Sequence, residues 1–352
     1  MRSLSDRQLY ATLLVILAIV AAVSASVGAY SYSLPQMYRY IGEGIGWIPV
    51  TAGDEIQRNV FLTLRLPRVI LSILTGAVLG LSGAVMQGLF RNPIVEPGLA
   101  GTSAGAAFGA ALVFVFGGTT MAFTSPLGTL AVPIVAFMGS FAATLLVYRV
   151  SSAFGKVNVF TLLLAGVAVN AVCAAGTGFL SYIARDPQAR NITFWNLGTF
   201  TGADWRSVQL VGLCFLAAFF WIRRHAKALN ALMLGEDEAA LLGVDPQRLI
   251  FSLLIANTIM VATATAAVGV IAFVGLVVPH MIRIIRGPSH TFLLTGSALL
   301  GAVLLGAIDV IARMIIPPAE LPIGIITAVV GAPVFLIVLL RDQRRGLPGI
   351  YG

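Results

Sequence analysis

Residues 249–285 read LIFSLLIANTIMVATATAAVGVIAFVGLVVPHMIRII, with Arg283 as the only formal charge. As one helix this run would measure about 55 Å at 1.5 Å per residue. The hydrocarbon layer of a bilayer is only about 30 Å thick. The run is too apolar for water and too long for one crossing, so it must fold back on itself. Gly269 or Gly275 is the simplest place for the break.

Eight further stretches have the length and apolar character of membrane helices: about 9–29, 68–90, 98–117, 127–148, 159–183, 207–222, 291–316 and 322–340. With the folded run counted twice, the chain is expected to be an all-α polytopic membrane protein of ten transmembrane segments, the eighth short. Composition agrees. Hydrophobic residues make up 58% and charged residues 10%, whereas a soluble domain carries about 25% charged residues. The net charge of +8 is spread between apolar runs, with no basic stripe of interleaved aromatics. A nucleic-acid partner is therefore not expected. Cys173 and Cys214 each sit in an apolar run and read as packing residues.

Charge distribution tests the count. With the N-terminus inside, 14 of the 22 cations fall on the inner side and 8 on the outer, while the acids divide 7 and 7. The inner excess obeys the positive-inside rule. A single crossing by 249–285 would put the Arg-rich tail RDQRR outside, against that rule. The first apolar stretch could be read as a signal peptide, with Arg2 and Arg7 ahead and AVSASVGA behind. Its apolar part is long for that role, and a retained helix is favoured. Small residues recur four apart at Gly76/Gly80, Gly101/Gly105/Gly109 and Ser297/Gly301. This spacing lets helix backbones approach closely in lipid.

Two inner segments look shaped. In LMLGEDEAALLGVDPQR, Glu236, Asp237 and Glu238 suit the first turn of a helix, where the macrodipole favours anions. Gly243 suits the residue after a helix end, and Asp245-Pro246 an N-cap followed by Pro at the next helix start. A solvated loop with good caps would look similar but needs no apolar AALLG face. A cytoplasmic docking knob across 232–246 is the preferred reading. In FRNPIVEPGLAG, Pro93 and Pro97 stiffen a loop that could be a plain turn or the inner mouth of a path.

On the outer side, Arg65 and Arg68 precede a span, and Asp309 and Arg313 stand four apart, where they can neutralise each other. Snorkelling arginines would explain these as well as a binding role would. Residues 184–205 are long, polar and aromatic, and with 31–66 are the outer segments large enough for a vestibule.

Several classes are excluded. No G-x-x-x-x-G-K-[ST] occurs, so the chain does not bind ATP through a P-loop. His225, His280 and His290 have neither H-E-x-x-H spacing nor a Cys partner, so no metal site is expected. Deep carboxylates are nearly absent, with Asp309 the sole candidate, and a proton relay lacks its parts.

The motifs LRLPRVILSILTGAVLGLSGAVMQGLFRNPIVEPGLAGTSAGA, TLLLAGVAVN, FWNLGTFTGADW, LGEDEAALLGVD, IAFVGLVVPHMIR and ELPIGIITAVVGAPVFLIVLL resemble the permease subunits of ABC importers for iron-siderophores, heme and cobalamin. They extend over about residues 60–340. The resemblance implies a type II ABC importer permease fold, a single transmembrane domain over 1–352, and a homodimer in the bacterial inner membrane with both termini cytoplasmic. It implies two separate ATPase subunits, which use ATP and Mg, while this chain binds no cofactor and is no enzyme. Gly235, Glu236, Asp237, Glu238, Ala239, Leu242 and Gly243 match the coupling helices that press into the ATPase. Arg65, Arg68 and Arg313 match the arginines that receive the periplasmic binding protein. Asn92, Pro93, Ile94 and Val95, with Asn158, Val159, Phe160 and Thr161, match the cytoplasmic gate. Asn170 matches the axial path. RDPQARNITFWNLGTF resembles the heme branch, and Tyr182, Arg190, Phe194 and Trp195 would suit a flat macrocycle with two propionates. A ferric siderophore or cobalamin is the alternative cargo. An ion-coupled secondary transporter and a membrane-embedded enzyme are less favoured.

Overall fold

The computed structural model describes residues 5–28, 30–117, 128–152, 157–316 and 319–344. Arg2, Lys156 and Arg345 of the charge count lie outside the described residues. The described chain is helical throughout. α1 (Asp6–Ser26) opens with a capping box between Ser5 and Gln8. Two short helices follow, α2 (Leu34–Ile45) and α3 (Glu55–Val60). α3 runs through a π-helical turn, Phe61–Arg65, into α4 (Leu66–Leu89). The widened turn has a cause. Pro67 has no N–H, and its ring would crowd the carbonyl four residues back in a regular helix. The Leu66 N–H instead bonds the Phe61 carbonyl.

The expected span at 98–117 is a 3₁₀ turn, Pro97–Ala100, leading into a shorter helix, α5 (Thr102–Phe116). α6 (Ala131–Ser151) and α7 (Val159–Ile183) come next. The outer segment 184–205 is not only loop; it contains α8 (Gln188–Asn196). α9 (Trp205–Arg224) leads to the short pair α10 (Ala226–Leu232) and α11 (Glu236–Leu241). The long apolar run divides into α12 (Pro246–Val268) and α13 (Val274–Arg286), with the break at Gly269 in the left-handed region at φ 80°. α14 (His290–Met314) and α15 (Ile323–Arg344) complete the chain.

Each of the ten expected segments is therefore a helix. Among the described residues seven helical stretches are long and apolar enough to cross a membrane, one of them the continuous 35-residue stretch Glu55–Leu89. α5 is apolar but shorter, and α15 is apolar over Ile323–Ile337. α13 has 13 residues and ends in Arg283 and Arg286.

α4 is the centre of the bundle and is buried almost without interruption from Thr75 to Leu89. It packs against α14, α13, α9 and α12. The small-residue spacings do what close packing requires. A side chain at Gly76 would collide with the Gly301 backbone, and one at Gly80 with the Ser297 carbonyl. Gly105 and Gly139 make the same contact between α5 and α6. α7 is the opposite of α4. It is apolar all round, yet Leu164, Val167, Val172 and Phe179 are exposed.

Irregular backbone is gathered where α12 ends. The Thr199 amide bonds the Val268 carbonyl (2.8 Å), Val270 bonds Trp195 (3.3 Å), Ile323 bonds Gly198 (3.0 Å) and Gly324 bonds Leu197 (2.7 Å). The end of α8, the α12–α13 break and the start of α15 thus satisfy one another inside protein. Non-helical backbone at membrane depth is tolerated where it is buried in protein or lines a cavity.

Candidate functional site

Polar groups collect at the two ends of the bundle, and a cavity lies between them. At one end α10 and α11 form the knob. Glu236, Asp237 and Glu238 fill the first turn of α11. Gly243 sits at φ 81° and closes the helix. The Val244 amide reaches the Ala239 carbonyl (3.0 Å) and the Gly243 amide reaches Ala240 (3.0 Å), the double bond of a Schellman ending. The Asp245 side chain caps α12 by accepting from the Arg248 amide (3.1 Å), with Pro246 in the first turn. Gly235 sits at φ 141°, a backbone conformation that favours glycine. Ala239 is buried, whereas Leu234, Leu241 and Leu242 are exposed beside Asp237 and Glu238. Asn230 fastens α10 to α14, its Oδ1 accepting from the His290 amide at 2.8 Å. The segment has the fixed shape that a docking surface needs.

Glu236 points the other way, into the chain. Its Oε1 lies 3.7 Å from Arg91 Nη2, and its Oε2 accepts from Gln247 Nε2 at 3.3 Å. Gln247 Oε1 in turn accepts from the Val157 amide at 2.6 Å. One carboxylate therefore links the knob to the residue before Asn92 and, through Gln247, to the residue before Asn158. These are the two segments that match the gate. Arg91 ends α4 at φ 50°, a left-handed conformation unusual for a side-chain-bearing residue. Asn92 Oδ1 accepts from the Ile94 amide (3.0 Å) and Asn158 Oδ1 caps α7 through the Thr161 amide (3.0 Å). Val95 is buried, Pro93, Val159 and Thr161 are half-buried, and Ile94 and Phe160 are exposed.

From this end the loop after Val95 climbs into the bundle. Asn170, about halfway along α7, donates to the Gly98 carbonyl at 3.0 Å. Beside it is a cavity of about 450 Å³ whose wall includes Glu96, Ser103, Asn170, Thr177, Asn196 and Phe273. Glu96 and Phe273 face each other across its wall. Phe273 is held at φ 69° as the first cap of α13. This corrects the expectation that Asp309 is the only deep carboxylate. The sequence places Glu96 between two prolines in an inner loop, and nothing in it shows that the loop re-enters the bundle.

The cavity wall contains Asn170 but not Tyr182, Arg190, Phe194 or Trp195. Tyr182 is largely exposed near the end of α7. On α8 the Arg190 guanidinium lies 5.5 Å over the Phe194 ring. Among the described residues no ion pair joins Arg190 to Asp186. Trp195 is half-buried, and its carbonyl serves the α12–α13 break.

The opposite end holds the three arginines, and all are engaged within the chain. Arg68 Nε and Nη2 both reach Asp309 Oδ1, at 3.0 and 2.8 Å. Arg68 Nη1 lies 2.8 Å from both oxygens of Glu320. Arg313 pairs with Asp309 (3.1 Å) and bonds the carbonyls of Val27 (2.9 Å) and Ser24 (3.1 Å). Arg65 bonds the carbonyls of Val27 and Tyr30. The pairing expected of Asp309 and Arg313 is present, but these side chains turn inward and do not snorkel. Glu320, which the sequence did not single out, is the most exposed member, its side chain 36% accessible against 12% for Arg68 and none for Asp309.

A helical bundle with a shaped knob at one end, linked to a loop that walls an internal cavity, defines a membrane permease. Comparison with known proteins makes this specific: the chain belongs to the FecCD transport family, whose model matches residues 14–341. It is 39% identical to the hemin transport system permease protein HmuU of Yersinia pestis, covering 95% of this chain and 96% of that one. It is 36% identical to the cobalamin import system permease protein BtuC of Halobacterium salinarum, covering 92% and 85%. Its fold matches a metal-chelate type ABC transporter solved in an inward-facing conformation, with TM-score 0.81 and 31% identity over 95% of this chain and 99% of the other. The chain is thus an ABC permease subunit and not an enzyme.

Proposed function

We propose that this chain imports heme as the membrane half of an ATP-driven importer, working as a homodimer in the bacterial inner membrane with both termini cytoplasmic. Two ATPase subunits, using ATP and Mg, bind the knob through Asp237, Glu238 and the exposed Leu234, Leu241 and Leu242. The observation that carries this reading is the Glu236 linkage, which joins a surface suited to a soluble partner to both segments at the mouth of the path. A push on α11 is then felt at Asn92–Val95 and at the start of α7. The apolar, uncovered face of α7 faces the second copy and the path between them. A periplasmic binding protein docks at the arginine end. Because Arg65, Arg68 and Arg313 are already satisfied, docking there proceeds by exchange at the accessible Glu320 contact, with the buried Asp309 pair kept.

Heme is preferred among the cargoes because α8 presents Arg190 stacked on Phe194 without a carboxylate partner among the described residues, free to fork onto a propionate. Similarity to the hemin permease supports the same choice. The test is uptake into proteoliposomes holding the chain, its ATPase and its binding protein. Heme uptake that is vanadate-sensitive and protonophore-insensitive, and faster than uptake of ferric siderophore or cobalamin, is the expected result. Protonophore-sensitive uptake would overturn the ATP-driven reading, and preference for another chelate would overturn the cargo.

A further inference from the structure

We infer that α2 is an interfacial helix, lying along the membrane surface with an apolar stripe in the lipid at the headgroup–acyl boundary. The stripe is Leu34, Tyr38, Ile41 and Ile45, at i, i+4, i+7 and i+11, so the four side chains share one narrow face. All four are exposed: Leu34 66%, Tyr38 73%, Ile41 36% and Ile45 58%. Two exposed aromatics flank it, Tyr30 before and Trp47 after.

The other two sectors of α2 are accounted for. Met37 and Tyr40 pack into a cluster with Ala25 of α1, Phe61, and Val69 of α4. Arg39 and Glu43 lie on the face opposite the stripe and are paired. Arg39 contacts Asp54 and Glu43, and Glu43 takes Arg58 Nη1 at 3.3 Å and the Thr51 amide at 3.3 Å. One sector thus faces the bundle, one carries paired charges, and one is apolar and bare.

The depth of α2 identifies what covers the bare sector. Ala25 is in the last turn of α1, and Val69 is at the start of the apolar part of α4. Packing against both fixes α2 at the level where those helices leave the hydrocarbon. A helix at that level, with apolar and charged faces on opposite sides and Tyr and Trp at its ends, has the parts of a membrane-surface helix. A soluble partner is a poorer fit, because Arg39 and Glu43, the charges of α2, are already paired and the stripe offers no polar group but the Tyr38 hydroxyl. The inference needs only that the bundle sits in a bilayer. It does not depend on the cargo or on which end is cytoplasmic.

The test places single spin labels at Leu34→Cys, Tyr38→Cys and Ile45→Cys, with Ala52→Cys as the control, after replacing Cys173 and Cys214 by Ala. The full-length protein is held in phosphatidylcholine nanodiscs. Collision with oxygen, which concentrates in lipid, is compared with collision with a water-soluble nickel chelate. The three stripe labels should be oxygen-accessible and several-fold protected from nickel, and the Ala52 label the reverse. Three separate sites keep one misfolded variant from deciding the outcome. Stripe labels as open to nickel as Ala52, shielded from both reagents as by a second copy, or shielded only after a soluble protein is added, would each overturn the inference.

Discussion

Arg68 donates two hydrogen bonds to one oxygen of Asp309, at 3.0 and 2.8 Å, while Arg313 approaches the other oxygen at 3.1 Å. That second approach is an ion pair off the hydrogen-bonding angle. Asp309 is fully buried, so the two guanidinium groups are what make its charge tolerable. Breaking a buried pair from one side costs about 3–5 kcal/mol, because the remaining charge is left uncompensated. Asp309→Ala removes the buried counter-charge of two arginines, of which Arg68 keeps Glu320 and Arg313 keeps the Val27 and Ser24 carbonyls, so the purified protein should lose thermal stability by an amount toward the lower end of that range. Arg68→Glu should likewise lower stability before any docking defect is read from it. A wild-type melting curve for Asp309→Ala would show that the cluster is not structural.

Glu236 and its neighbours divide two tasks that a triple substitution would merge. Asp237 and Glu238 are exposed, whereas Glu236 holds Arg91 and Gln247. Asp237→Ala with Glu238→Ala should weaken association with the ATPase, read by co-purification. Glu236→Ala should leave association intact and lower the uptake achieved per ATP hydrolysed. Equal association and equal coupling in both variants would leave the knob as a solvated loop.

Arg91 sets a backbone term against a side-chain term. Its left-handed conformation costs about 1–2 kcal/mol for a residue with a Cβ, and glycine avoids that cost. Its contact with Glu236 is long and about one-third exposed on both sides, worth about 0.2–1 kcal/mol. The backbone term wins, so Arg91→Gly should be slightly more stable than wild type in denaturant unfolding, and Arg91→Ala less stable. Coupling should fall in both, since both lose the link to α11. Destabilisation by Arg91→Gly would mean that the ion pair outweighs the strain.

Glu43 supplies a pH dependence. Burial pushes its carboxyl up, but hydrogen bonds from Thr51 and Arg58 and the charge of Arg39 more than offset this, so the group sits below its ordinary value. A depressed acid stabilises the fold above its unfolded pKa, and that contribution is lost as pH falls through the lower folded value. Hydrogen exchange over residues 34–60, corrected for the intrinsic rate, should accelerate on acidification through that window. Glu43→Gln should show the faster exchange at neutral pH and lose the pH response. A pH response that persists in Glu43→Gln would assign it to another group.

What the sequence showed and what it hid divide along physical lines. The break, expected at Gly269 or Gly275 and found at Gly269, the caps at Asp245-Pro246 and Gly243, and the close approaches at Gly76, Gly80 and Gly105 were legible because each is a local steric demand written in the residue itself. The helix before Pro67 was not, since Arg65 and Arg68 read as the edge of a span and a π-turn leaves no composition signal. Glu96 was not, because what it faces in the cavity, Phe273 among others, lies far along the chain. The arginines were legible as a group, but their state was not. Whether Arg68 faces a partner or Asp309 depends on how α4 and α14 pack, and only the fold decides that.

Arg190 carries the cargo assignment, and its surroundings make the sharpest test. Two roles are open to it: a guanidinium free for a propionate, or one that merely braces the outer segment by pairing with Asp186, four residues earlier. In the structure Arg190 is exposed on α8 and stacks on Phe194 at 5.5 Å, with no ion pair to Asp186 among the described residues. An exposed guanidinium with no carboxylate partner among the described residues can take a carboxylate with two bonds. Arg190→Ala should reduce heme uptake by about tenfold, the equivalent of one charge-assisted contact at about 1.4 kcal/mol. Binding-protein docking and basal ATP turnover should stay near wild type. Arg190→Lys should recover only part, because a point charge neither stacks nor forks. Asp186→Ala should be mild. If Asp186→Ala and Arg190→Ala lose uptake equally, the arginine braces the loop and the propionate role falls with it.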